Sequence, residues 1–205
     1  MSNQTNPIEA INDIKSMMEK SSKLYSINGF AGVYVGILSL ITVSFFCFIY
    51  QINPFSGDLL QLNKLPFEHY LMALIFGFLL FTFSFLIVVF LTYKKSKKMN
   101  VPMWGTLPKR VLFHFFLPLS VGGLFCLLIY YQNPDYVLPL SLIFYGMSLF
   151  NVGNYTFEST KWVGVVEMLL GLLCIVFLQY HILIWAIGFG LVHIVYGIYM
   201  HYHSK

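Results

Sequence analysis

Six long stretches of almost uninterrupted apolar residues divide this chain, at 27–50, 70–93, 111–131, 136–153, 162–180 and 182–200. Five of them approach the roughly 20 residues that a bilayer's hydrocarbon core demands of a helix. The fourth is shorter and carries Pro139. Because the apolar residues run on without alternating, a lipid-facing strand is excluded and each stretch reads as a helix. The pattern therefore predicts an all-α polytopic transmembrane bundle over residues 27–202, preceded by a separate polar region at 1–26.

Loop lengths group the spans into three hairpins. The connections after the first, third and fifth spans shrink from 51–69, through 132–135, to almost nothing around Tyr180 and His181. On the other face, 94–110 contains Asn100, Pro102, Gly105 and Pro108 and reads as a true loop, followed later by 154–161. With the N-terminus cytoplasmic, Lys15, Lys20, Lys23, Lys94, Lys95, Lys97, Lys98, Lys109, Arg110, Lys161 and Lys205 all fall inside, and only Lys64 falls outside. That asymmetry predicts an even number of spans and both termini in the cytoplasm.

Composition agrees with lipid as the solvent: 58% of residues are hydrophobic and 10% charged, too few to cover a water-soluble globule. The net charge of +4 comes from one face, so it argues for anionic headgroups near Lys94, Lys95, Lys97 and Lys98 rather than for nucleic acid. The first 25 residues are polar and include acids, unlike a secretory leader. They predict a helix instead. Pro7 follows Asn6 at a helix start, and Ile8, Ile11, Ile14 and Met18 recur opposite Glu9, Asp13, Lys20 and Lys23. Such an amphipathic helix suits three places: the cytoplasmic interface, the inner mouth of the bundle, or a partner protein.

A weak internal repeat supports the hairpins. The odd spans end alike, as FFCFIYQ (45–51), LFCLLIYYQ (124–132) and LLCIVFLQY (172–180), and the even spans share LIFG, LIFYG and LIWAIG. Repeated in this order, the hairpins would be parallel copies about an axis along the membrane normal. Cys47, Cys126 and Cys174 are far apart and lack any CxxC spacing, which gives disulfide and zinc readings little support.

Chemistry concentrates in the last two spans. Glu167 is the one acid inside an apolar run, where a carboxylate costs at least ~2.5 kcal/mol near the bilayer centre. It shares a helical stripe with Gly164, Gly171 and Cys174; Ala186, Gly190, His193 and Gly197 make the corresponding stripe on the next span. A tight turn between these helices would set Gly164 against Gly197, Gly171 against Gly190, and Glu167 beside His193, about 9 Å deep from the level of Lys161. The glycines would let the backbones close up. The acid and base would form either a neutral hydrogen-bonded pair or one sharing a proton, since a buried ion pair offsets its desolvation only with excellent geometry. Tyr145, Asn151 and His114, with Asn154, are further polar groups that could line the same cytoplasm-facing cavity. A clasp between helices and a proton relay both remain open for this pair.

No Walker loop, GxSxG elbow, HExxH pair or aspartate dyad is present, and no nucleophile and base combination marks an enzyme. A bis-histidine haem would require His114 and His193 to face across a cofactor-sized gap, so no cofactor is assigned. His201 and His203 diverge on a helix, and no metal is assigned either.

The segments INDIKSMMEKSSKLYSINGFAGVYVGI (11–37), FYGMSLFNVGNYTFEST (144–160) and WAIGFGLVHIVYGI (185–198) resemble a family of six-helix integral membrane proteins of Bacteroidota. That resemblance spans most of the chain and implies a bacterial inner-membrane location. It carries no activity with it. The functional expectation is a small transporter or channel-like protein with a polar inner cavity at Glu167 and His193, passing a proton or small molecule. The alternative is an interaction or sensory subunit that recruits a partner through the first 26 residues and the basic loop. Either reading admits a homo-oligomer.

Overall fold

A computed structural model describes residues 29–56, 67–98, 105–130 and 132–203. The N-terminal segment expected to be amphipathic lies outside the described residues, as do most of the connection after the first span and part of the basic loop. The described chain is helical, with six helices long and apolar enough to cross a membrane. They are α1 (Gly29–Ile49), α2 (Phe67–Lys98), α3 (Thr106–Tyr130), α4 (Val137–Val152), α5 (Glu158–Val176) and a composite sixth span. That span comprises α6 (His181–Ala186), a π-helical turn (Ile187–Val192) and α7 (His193–His203).

The helices outrun their apolar stretches. α2 continues through Lys98 with Lys95, Lys97 and Lys98 in its last turn, where cations complement the helix dipole. α3 begins at Thr106, so the expected loop over 94–110 is largely helix at both ends. Pro108 sits in the first turn, where backbone N–H groups have no helical acceptor to lose. The same reasoning explains α4, which carries Pro139 in its first turn and keeps it buried. Pro118 differs: it lies inside α3 and removes one ladder hydrogen bond there. Beyond the end of α1, Gln51 with its φ of 53° lets Ile52 N–H donate to the Cys47 carbonyl oxygen at 2.9 Å, closing the helix terminus.

The two largest packing contacts follow small residues and join helices of different hairpins. The most extensive contacts are α4 on α5 and α1 on the sixth span, followed by α3 on α4. A Cβ on Gly146 would lie 2.6 Å from the Gly164 carbonyl oxygen, and one on Gly164 would lie 2.6 Å from that of Gly146, so α4 and α5 touch backbone to backbone. On the other side, Gly29, Gly32 and Gly36 of α1 press on the backbone of Gly190, His193 and Gly197. Close approach of this kind is what holds helices together where lipid is as apolar as the core.

The interior is correspondingly polar and small. Glu167, Thr156, Cys174, Ser39, Ser96 and Ser148 are fully buried, whereas Phe48, Phe78, Leu128 and Val176 project outward. Many buried hydroxyls are satisfied by their own helix: Ser39 donates to the Val35 carbonyl at 2.9 Å, Ser148 to Phe144 at 3.0 Å and Thr156 to Val152 at 3.0 Å. Leu142, Cys174 and Ile184 form the apolar core where α4, α5 and α6 meet, next to the acid and base.

Candidate functional site

Glu167 lies midway along α5, nine residues or about 14 Å from its first residue. Its side chain is fully buried, and Oε1 stands 3.3 Å from Nδ1 of His193, itself 5% exposed. The structure thus brings the two together. It does so without the glycine pairing expected across the last hairpin. Gly164 and Gly171 face α4, at Gly146 and Phe150 and at Pro139 and Ile143; Gly190 and Gly197 face α1, at Leu40 and Val33. The expectation of Gly164 on Gly197 and Gly171 on Gly190 is overturned because each glycine stripe serves a different neighbouring helix.

The π turn accounts for this. Bonds from residue i to i+5 set residues five apart over one another. His193 accordingly comes over Gly188, with its Nδ1 3.1 Å from the Gly188 carbonyl oxygen, and leaves the line through Gly190. Gly188 is also the residue against which Glu167 rests, since a Cβ there would lie 2.5 Å from Oε2. Nothing in hydropathy signals a π turn. The GFG spacing of Gly188 and Gly190 put two small residues on opposite helix faces and was the available clue.

On its other side the imidazole is held by Tyr145, whose Oη is 2.8 Å from Nε2. Phe189 lies parallel to the His193 ring, with centroids 5.7 Å apart and planes 9° apart, and contacts Trp185 and Tyr145 in turn. A carbonyl oxygen only accepts, so Nδ1–H donates to Gly188 and Nε2 then accepts from the Tyr145 hydroxyl. The exchanged tautomer frees Nδ1 toward Glu167 and lets Nε2–H donate to Tyr145. In the first arrangement the imidazole is fully used. Neither oxygen of Glu167 has a hydrogen-bond partner. The 3.3 Å approach to Nδ1 is therefore an electrostatic contact and not a hydrogen bond. Leaving such a group unsatisfied costs about 1–3 kcal/mol, and more if it is charged.

Two hydroxyl contacts flank this centre. Toward Lys161, Thr160 Oγ1 and Tyr196 Oη are 2.6 Å apart, joining α5 to α7. Toward His181, Trp185 Nε1–H donates to Ser141 Oγ at 3.1 Å, joining α6 to α4. His181, in the short connection before the sixth span, is buried, with its Nδ1 2.5 Å from the Leu178 carbonyl oxygen.

The remaining candidates lie elsewhere. His114 Nε2 is 2.9 Å from Tyr155 Oη, and the two rings stack at 4.9 Å, a separate pair between α3 and the α4–α5 turn. Asn151 contributes its backbone carbonyl, which accepts from Asn154 Nδ2 at 3.2 Å. Lys94 lies over the Phe90 ring at 4.6 Å, and Lys97 and Lys98 are exposed beyond it, with Lys95 half-buried. Among the described residues no cluster of three acidic, histidine or cysteine side chains could hold a metal. No family model, curated protein or solved structure matches the chain.

Proposed function

We propose that this protein is a small proton-linked transporter of a bacterial cytoplasmic membrane, with both termini cytoplasmic and with Glu167, His193 and Tyr145 as its proton-exchanging centre. One observation carries the reading: a carboxyl group sits at mid-span, sealed from solvent, with neither oxygen hydrogen-bonded, beside an imidazole. A purely structural clasp is stabilised by satisfying its polar atoms, and this one is not. A group that must bind and release a proton is served by a partner within reach but not locked to it. With Glu167 protonated and His193 in the Nε2–H tautomer, the carboxyl proton passes from Oε1 to the free Nδ1, leaving a carboxylate beside an imidazolium whose Nε2–H donates to Tyr145. The π turn supports the reading, since such turns concentrate at functional sites in helices. The one-sided lysines support the orientation, and the resemblance to Bacteroidota membrane proteins supports the location.

The test is proton flux into vesicles that hold a pH dye and the reconstituted protein, with membrane potential clamped. The wild type should equilibrate an imposed pH step faster than empty vesicles, and Glu167→Gln should return the rate to that of empty vesicles while eluting as a folded protein. A wild-type rate no faster than empty vesicles, or an undiminished rate in the variant, would overturn the assignment.

A further inference from the structure

Where α4 turns into α5, a slot of about 120 Å³ opens between Phe150, Glu158, Lys161, Trp162 and Val165. We propose that it binds one phospholipid with a primary amine in its headgroup, phosphatidylethanolamine. The position is that of a headgroup. Glu158 is the first residue of α5 and Phe150 lies in the last turn of α4, so the slot sits at the end of two spans. Its walls are almost wholly apolar: Phe150, Val165 and the exposed ring of Trp162 offer a surface for the upper part of an acyl chain. Tryptophan is the side chain that suits this depth, apolar in body and polar at one edge.

The rim supplies the selectivity. Lys161 lays its stem against Gly153, where a Cβ would collide with it, which holds the ammonium beside the slot. Glu158 precedes it by three residues, so the two Cβ atoms stand about 5–6 Å apart on one helix face. No ion pair joins Glu158 and Lys161 to each other or to another described side chain. One cation and one anion are thus presented separately beside an apolar slot. A phosphate and the amine two carbons beyond it present the complementary signs. Lys161 meets the phosphate, and Glu158 accepts N–H bonds from the amine. A choline headgroup has no N–H to donate, and a glycerol headgroup has no cation.

The experiment is quenching of tryptophan fluorescence by brominated lipids, with the full chain in phosphatidylcholine vesicles that contain a small fraction of brominated lipid. The Trp162 signal is the part removed by Trp162→Phe. Brominated phosphatidylethanolamine should quench it about threefold to tenfold more effectively than brominated phosphatidylcholine or phosphatidylglycerol, the range expected of two interfacial charge contacts. Glu158→Gln and Lys161→Gln should each remove most of that preference. Equal quenching by all three lipids in the unmodified protein would overturn the proposal, with no reliance on a variant folding. So would a preference for phosphatidylglycerol, or one that survives both substitutions.

Discussion

Gly188 supports Glu167 from across the α5–π-turn contact: its missing side chain is the space that the carboxyl occupies, with Oε2 only 2.5 Å from where a Cβ would be. The same residue's carbonyl oxygen lies 3.1 Å from His193 Nδ1. One backbone position therefore makes room for the acid and orients the base.

Gly188→Ala should consequently be destabilising, by about 1–3 kcal/mol, through overpacking against Glu167 and Leu142. Thermal unfolding in detergent measures it. Placing the same alanine in a Glu167→Ala background should recover much of the loss, and a cycle showing no coupling would mean that the carboxyl does not occupy this space.

Glu167→Met replaces an unsatisfied carboxyl with an apolar side chain of similar length. It should raise stability by about 1–3 kcal/mol while abolishing proton exchange. Lower stability in this variant would identify the acid as a structural clasp.

Tyr145→Phe deletes the hydroxyl 2.8 Å from His193 Nε2 and leaves that nitrogen buried without a partner. A loss of about 1–3 kcal/mol is expected, together with slower proton flux. Tyr155→Phe, which breaks only the separate contact with His114, should leave flux unchanged.

The glycines should divide by environment. Gly146→Ala and Gly164→Ala each drive a methyl group to 2.6 Å from a facing carbonyl oxygen and should lower the unfolding temperature sharply. Gly77→Ala and Gly123→Ala meet nothing within 4 Å and should be neutral or stabilising by up to about 1 kcal/mol through helix propensity.

Much of this protein was legible before any coordinates. The number of spans and their helical character follow from apolar runs in a solvent that leaves no backbone group unsatisfied. Glu167 and His193 stood out because polar atoms in that solvent are costly, whatever surrounds them. α2 and α3 run past their apolar stretches toward the basic connection, since a helix does not stop where hydrophobicity stops: charged turns continue it into the interface. The neighbours of each glycine stripe were also beyond reach. A stripe of small residues says that a backbone comes close, not whose, and α1 and α4 claimed the two stripes that the last hairpin was expected to share. Only the tertiary structure decided the π turn, the Tyr145 hydroxyl on the imidazole and the unsatisfied state of Glu167. Composition along one helix fixes depth in the membrane, while rotation about the helix axis, and therefore which side chains meet, is set by packing among all six.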